Sequence, residues 1–272
     1  CPYMCTYCSK SVFGNKLRVR DPVRFVDEIE YLHRHYNIKE FQIADDNFSF
    51  YYDHAMKICK EILKRNLKIS WTLPNGVRAD RMDSELLKQM KQSGCYYMAF
   101  GFEFGSSRIL KIVKKSLDSE KAKQTVHTAN KLGFITHGFF LMGHPEETLD
   151  DLILTQKLAI SLPLDRISIG IPIPYPGSEL FQYYLGEKNN NLLDFDWNYY
   201  KEGHSRLILK HLDLDALRKI IKQTTYRFYG NIHRILNFAR KINNINLVGS
   251  ILDGVFATVK IMLRTTGYSK LN

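Results

Sequence analysis

The chain has 272 residues, 44% of them hydrophobic and 12% aromatic, with 39 Lys+Arg against 28 Asp+Glu. That apolar share is enough to bury a sizeable core, which excludes a disordered chain, and no run approaches the about 18 uninterrupted apolar residues of a membrane span. The charge is uneven: residues 204–272 hold 12 Lys+Arg and 3 Asp+Glu while residues 1–203 hold 27 and 25, so an acidic partner is expected to meet the tail.

The chain opens on Cys1-Pro2-Tyr3, with neither an initiator Met nor the basic-then-apolar start of a signal peptide, and reads as a fragment. Cys1, Cys5 and Cys8 crowd into one loop, whereas Cys59 and Cys95 stand alone. An odd, tightly spaced set does not make a disulfide framework and points to a reducing cytosol. Asp21-Pro22 then reads as the start of a helix carrying Val26, Ile29, Leu32 and Tyr36 on one face. Apolar β-type runs follow at 41–44, 69–73, 97–104, 135–142 and 167–173. Between them lie an apolar stripe of Ala55, Ile58, Cys59, Ile62 and Leu63, a helix from Asp83 to Gly94, and one from Ser119 to Gly133. The strand starts are separated by roughly 28 to 38 residues, the size of a strand plus a crossover helix. Nearly continuous apolar strands in such units predict a parallel sheet with helices outside, hence an α/β barrel or part of one. After Pro172-Ile173-Pro174-Tyr175-Pro176-Gly177 the pattern turns helical and basic, with Asn189-Asn190-Asn191 as an exposed loop. The domain boundary is placed between residues 1–185 and a helical extension, 186–272, whose last stripe runs from Ile251 to Leu263.

Three thiols at gaps of three and two can wrap one metal centre. A structural zinc site closes with four ligands, whereas an iron–sulfur cluster held by three leaves one iron open. A zinc loop completed by a His, or plain core cysteines, would use the same spacing. C-x-x-x-C-x-x-C with aromatic Tyr7 before its last Cys resembles the signature of the radical S-adenosylmethionine (SAM) enzymes. The resemblance extends to about residue 185. Asp45-Asp46-Asn47-Phe48 stands where many members carry Gly-Gly-Glu, and Gly101-Phe102-Glu103 resembles the family's G-x-E motif. Gly143-His144-Pro145-Glu146-Glu147-Thr148 and Pro174-Tyr175-Pro176-Gly177-Ser178-Glu179-Leu180 resemble segments of the branch that often carries an upstream cobalamin-binding domain.

The resemblance implies a partial (β/α)6 TIM-like barrel lacking its first strand, because members have a strand before the cluster loop and this chain begins at Cys1. On that ground the chain is expected to hold its cluster poorly by itself. It implies that Cys1, Cys5 and Cys8 hold a [4Fe–4S] cluster and that one electron cleaves SAM to a 5′-deoxyadenosyl radical, which abstracts hydrogen from a substrate. Tyr7, Asp45, Asp46, Arg78, Glu103, Pro172 and Ile173 become the SAM-contacting candidates: acids for the ammonium, Arg78 for a bidentate grip on the carboxylate, Pro172 and Ile173 of the last strand beside the adenine. The expected partners are a small-molecule or lipid-like substrate and a reductase or flavodoxin-type donor. A cobalamin domain missing from the chain would make methylation the leading reaction, with cyclisation or rearrangement as other outcomes.

Other readings stand beside these. Asp45 and Asp46 can cap the helix that follows, and Arg78 can make a surface salt bridge. Glu103 is costly in an apolar strand without a partner, which favours function. His137 and His144 read as structural, Cys59 and Cys95 as buried. An RNA methylthiotransferase shares the cluster motif, and a non-catalytic three-cysteine metal module remains the non-enzyme alternative. The tail either packs on the barrel or lies on a membrane surface, and nucleic acid is the least favoured partner because no binding motif accompanies its charge.

Overall fold

The computed structural model describes residues 1–188 and 209–241, so Asn189-Asn190-Asn191 and the 251–263 stripe lie outside the described residues. Strands β1 (Glu40–Gln42), β2 (Ser70–Val77), β3 (Cys95–Glu103), β4 (Ile135–Leu141) and β5 (Arg166–Gly170) lie side by side in chain order, every pair parallel. Parallel neighbours need crossovers, which α2 (Tyr52–Lys64), α3 (Ser84–Gln92), α4 (Ser107–Ile112), α5 (Ser119–Lys131) and α6 (Leu149–Ser161) supply. The α/β architecture is the partial barrel expected from the sequence. Its core lies between sheet and helices around fully buried Trp71, Phe100, Phe102 and Phe140, with the Phe102 and Phe140 rings stacked at 5.6 Å. The buried Trp71 indole donates to the Ser93 carbonyl at 3.0 Å, so its one polar atom costs nothing.

Local signals explain the boundaries. Asp21 caps α1 (Pro22–Tyr36) by accepting from the Arg24 N–H at 3.0 Å, with Pro22 at the first helical position. Of the stripe expected on α1, Val26 and Ile29 are buried, but Leu32 and Tyr36 are 39% and 64% exposed. The helix packs on α2, held there by Arg65, which pairs with Asp27, Glu30 and Glu61. Asp118, one residue before Ser119, is the cap of α5. Thr148 and Asp151 form a reciprocal capping box on α6. Gly94 has φ +99°, and a Cβ there would stand 2.1 Å from the Ile69 carbonyl oxygen, so the close passage into β3 requires glycine. Strand β5 stops at Gly170; Pro172 and Pro174 offer no N–H to a ladder, so Pro172 and Ile173 lie beyond the last strand rather than on it.

The helical extension is partly in view. Helix α7 (Glu179–Lys188) runs through residue 186, so the expected boundary falls inside a helix. Helix α8 (Leu214–Tyr229) buries Leu217, Ile220 and Phe228, and its Tyr229 hydroxyl accepts from the Ile167 N–H at 3.1 Å and donates to the Ile167 carbonyl at 2.9 Å. Helix α9 (Ile232–Lys241) is latched by two cations. Arg234 donates to the carbonyls of Ile160, Leu162 and Leu164, and Lys241 pairs with buried Asp165 at 2.7 Å. Helix α8 therefore packs on the barrel, whereas α9 is held by these polar contacts, buries no residue and leaves Ile232, Ile235 and Leu236 about half exposed. No helix among the described residues is long and apolar enough to cross a membrane.

Candidate active site

The carboxyl ends of the strands carry the chemistry, and two sheet irregularities aim it. In β2, Pro74 interrupts the ladder and Gly76 takes φ +89°, shifting the register from Leu73 opposite Met98 to Val77 opposite Phe100. Arg78 emerges directly after this bulge. In β3 the register shifts between Gly101 and Glu103, and Glu103 itself has φ +65°, a conformation costly for a residue with a Cβ. The result is a cavity of about 440 Å³ whose wall includes Cys1, Cys5, Cys8, Tyr7, Asp46, Asn47, Arg78, Glu103 and Lys115. Its size suits a small molecule.

The cysteine loop is tied down on two sides. Thr6 donates its N–H to the Val113 carbonyl at 3.1 Å, and the Thr6 carbonyl accepts from the Leu180 N–H at 2.9 Å. Ser9 Oγ donates to the Pro176 carbonyl at 2.7 Å, binding the same loop to the Tyr175–Leu180 segment. The Cys5 thiol is drawn down to about 6, first by a hydrogen bond from the Cys8 thiol and, with burial opposing, by the charge of Lys115. Cys8, holding the shared proton, is pushed up correspondingly. A lowered thiol supplies the thiolate that iron or zinc requires. Among the described residues no three His, Cys, Asp or Glu side chains converge as ligands of a single metal ion.

Arg78 is buried, not a surface residue. It grips Asp80 through Nε at 3.0 Å and Nη2 at 2.6 Å, shares Nη2 with the Ser116 carbonyl, and stacks 4.0 Å over the Tyr3 ring. Burial opposes its charge, but the Asp80 pair holds it above its ordinary value; Asp80 is correspondingly held below its own. Two of its three nitrogens are thus spent inside the protein, and only Nη1, buried and without a partner, is left. The two-pronged grip expected from the sequence is not on offer. Asn47 is also buried with both amide atoms unpartnered, in the wall of the same cavity. Such orphans cost roughly 1–3 kcal/mol each unless a ligand completes them.

Lys115 is a cavity-wall residue that sequence reasoning missed. Helix α4 ends in a Schellman motif: Lys114, at φ +54°, donates its N–H to the Lys111 carbonyl at 3.1 Å, and Lys115 donates to Leu110 at 2.9 Å. That turn drives Lys115 inward, where its Nζ meets Glu103 Oε1 at 3.0 Å. Gly101 makes room for the pair, since a Cβ there would stand 2.8 Å from Glu103 Oε1 and 3.2 Å from Lys115 Nζ. In sequence Lys115 sits in the basic run Lys111, Lys114, Lys115, indistinguishable from a solvated helix end.

The remaining candidates separate. Asp45 and Asp46 do not cap α2, which begins at Tyr52 with no side-chain cap. Asp45 Oδ1 accepts from the Asn47 N–H at 3.2 Å and shapes the turn, whereas Asp46 faces the cavity with Oδ2 2.9 Å from the Cys1 nitrogen. Tyr7 is in the cavity wall, its ring edge-on to Phe104 at 6.3 Å. Pro172 is buried and Ile173 half-buried, and neither is among the residues lining the cavity; Phe139, Val77 and Tyr175 supply its apolar wall. His137 spends both ring nitrogens, on Tyr97 Oη at 2.7 Å and Ser168 Oγ at 2.9 Å. Burial holds it, like His144, at about 4 and neutral, and both are structural.

A loop of three cysteines on the rim of a parallel α/β sheet, sharing one cavity with the buried cations Arg78 and Lys115 and the more open acids Asp46 and Glu103, defines an enzyme core built to hold a metal cluster and a zwitterionic cofactor. The model of the Radical SAM superfamily matches residues 1–159, and the chain belongs to that superfamily. An uncharacterized methyltransferase of Pyrococcus horikoshii is 34% identical over 230 residues, covering 84% of this chain and 49% of the relative. The cytidylyl-2-hydroxyethylphosphonate methyltransferase of Streptomyces wedmorensis is 34% identical over 190 residues, 67% of this chain and 35% of the relative. The chain thus spans half or less of these relatives. Among solved structures, a radical SAM methyltransferase from Kitasatospora setae superposes with a TM-score of 0.60 at 18% identity, over 69% of this chain and 37% of that one, a likeness of fold.

The residues present fit the cofactors the superfamily implies, a [4Fe–4S] cluster and SAM. All three cysteines are among the residues lining the cavity, as are Arg78 and Asn47 with their orphaned polar atoms.

Proposed function

We propose that the chain is the catalytic core of a radical SAM enzyme acting on a small-molecule substrate, and that methyl transfer assisted by cobalamin from another part of the protein is its reaction. The observation that carries the reading is the common cavity wall of Cys1, Cys5, Cys8, Asn47, Arg78, Glu103 and Lys115. Both relatives named above are methyltransferases, and a second structure of the Kitasatospora protein, with a TM-score of 0.60, holds cobalamin and a [4Fe–4S] cluster.

When bound, the cluster supplies one electron that cleaves SAM to methionine and a 5′-deoxyadenosyl radical able to take hydrogen from a substrate. The chain's own part is positioning. Cys1, Cys5 and Cys8 hold the iron, and the Thr6 and Ser9 bonds fix the loop that presents it. Lys115 and Arg78 Nη1 take the SAM carboxylate, while Glu103 and Asp46 accept from its ammonium. Asn47 completes its amide against the bound cofactor. Tyr7, Val77 and Phe139 shield the base and keep water from the reacting carbon. Asp45 holds the turn that presents Asp46 and Asn47, and the Ile173 carbonyl accepts from the Tyr175 N–H at 2.9 Å and so helps place Tyr175, while Pro172 has no part in the cavity wall.

Anaerobic reconstitution of the full-length protein, followed by dithionite and SAM, tests the reading. It predicts 5′-deoxyadenosine from the wild type and none from Cys5→Ala; equal yields from the two would overturn it.

A further inference from the structure

Below the cavity, the concave face of the sheet carries a polar row that the proposed chemistry does not use. In β5, Ile167 is buried in the core and Ile169 packs against it, so Arg166 and Ser168, alternating with them, face the concave side. The same face of β4 carries His137 and Phe139, whose rings meet at 4.7 Å, and Phe139 lines the cavity. In register, His137 stands beside Arg166 and Phe139 beside Ser168, so the row runs on from the cavity wall toward the amino ends of the strands. His137 bridges Tyr97 Oη at 2.7 Å and Ser168 Oγ at 2.9 Å. Arg166, half-buried, makes no hydrogen bond or ion pair among the described residues. Burial is the first cause of the shifts at Tyr97 and His137, and the Arg166 charge is the second, so the guanidinium stands near both rings. Asp165, the acid next to it in the chain, is committed to Lys241 and Thr136.

We infer that this row is a subsite for an anionic group of the substrate, a carboxylate or a phosphoryl group, held by Arg166 and Ser168. The inference rests on the function proposed above and adds the substrate's chemistry to it. An unpaired Arg on a convex surface is solvated and needs no explanation, but this one faces a concavity beside buried His137. Its guanidinium offers five N–H donors and no acceptor, in a planar fork that matches two oxygens of one anion. Ser168 adds a further donor. When Tyr97 donates to His137 Nδ1 and Nε2–H donates to Ser168 Oγ, the serine hydroxyl is free to donate outward. With Asp165 committed elsewhere, the row takes acceptors and repels cations. Two residues of parallel strand rise roughly 7 Å, so an anion at Arg166 leaves the rest of the substrate to pass Ser168 and Phe139 into the cavity. Gly170, next on that face of β5, adds no side chain to block the way.

Benzoate and phenylphosphonate are the probes and benzamide is the neutral control, their binding to the full-length protein measured by ligand-observed NMR. We expect both anions to bind more tightly than benzamide. Arg166→Gln should weaken anion binding about tenfold and Ser168→Ala about threefold. Arg166→Lys, which keeps the charge and loses the fork, should lose less than Arg166→Gln and serves as the second variant. SAM binding, and the 5′-deoxyadenosine formed with dithionite alone, should be unchanged in all three, because neither Arg166 nor Ser168 lines the cofactor cavity. Equal anion affinity in wild type and both Arg166 variants would overturn the inference, as would benzamide binding as tightly as benzoate. So would a parallel loss of SAM binding in Arg166→Gln, which would make Arg166 part of the cofactor site. A wild type that holds its cluster and forms no 5′-deoxyadenosine would contradict the proposed function instead, leaving the anion subsite to stand on its own binding data.

Discussion

The two ends of the sheet treat buried charge in opposite ways. At the amino ends of the strands, most of the buried charge is met by the protein itself, with Arg234 Nε alone of its cited groups left without a partner. Asp165 accepts from the Thr136 N–H at 2.8 Å, from Thr136 Oγ1 at 3.0 Å and from Lys241, and Arg234 lends its two terminal nitrogens to three carbonyls under the Phe228 ring. At the carboxyl ends the bookkeeping is left open. Arg78 keeps one nitrogen and Asn47 its whole amide unpartnered, and Glu103 bends through a positive φ to meet Lys115. Both ends are buried and polar, so burial alone does not mark a site. What marks it is that Arg78 and Asn47, with their unpartnered atoms, share one cavity wall with three cysteines, whereas the orphaned Arg234 Nε at the other end lies outside that cavity.

The contrast can be broken or sharpened by substitution. The largest effect is expected at the amino end: Asp165→Ala leaves the Lys241 charge with only the Phe134 carbonyl and unfolds more readily by about 3–5 kcal/mol. Chemical denaturation reads this, and SAM affinity in the folded fraction should be unchanged; a change there would mean that the two ends are not separable. Acid comes next. His137 and His144 titrate at about 4 when folded and near 6.5 when unfolded, so the unfolded chain binds more protons between those values. Their contribution is complete above about pH 6.5 and is lost as pH falls toward 4, roughly 3 kcal/mol for each at the lower limit. Melting curves of His137→Gln against wild type across that window should converge as pH drops. At the open end, Asn47→Leu should weaken SAM binding about tenfold while leaving stability unchanged or improved, because it deletes two unsatisfied groups. A destabilised protein with intact SAM affinity would reverse the assignment. The smallest effect belongs to the rim pair Lys114–Glu179, half-exposed on both sides, whose loss should cost under about 1 kcal/mol.

The contrast also explains what was legible in the sequence. Strand positions follow from apolar runs, largely buried in β2 to β4 and half-exposed in the outer β1 and β5, and the caps at Asp21 and Asp83 and the stop at Gly94 follow from local chemistry, so all were readable. The three cysteines were readable because one loop carries them. Lys115 was not, since twelve residues and a Schellman turn separate it from Glu103 and only the fold joins them. Arg78 was found but its bonding was misjudged, because Asp80, two residues on, reads equally well as a helix-start acid. Pro172 and Ile173 were assigned to a strand by hydropathy, while the missing proline N–H groups end it at Gly170. The extension α8–α9 read as an amphipathic, basic tail; which of its cations face inward is set by the carbonyls at the end of α6, out of reach of any local pattern.

The most direct test of the central account is the metal inventory of the full-length protein after anaerobic reconstitution, with Cys1, Cys5 and Cys8 each replaced by alanine in turn. The account predicts about four iron and four sulfide per chain in the wild type, lost in every single replacement. One equivalent of zinc with no sulfide, or iron retained when Cys5 is gone, would contradict it.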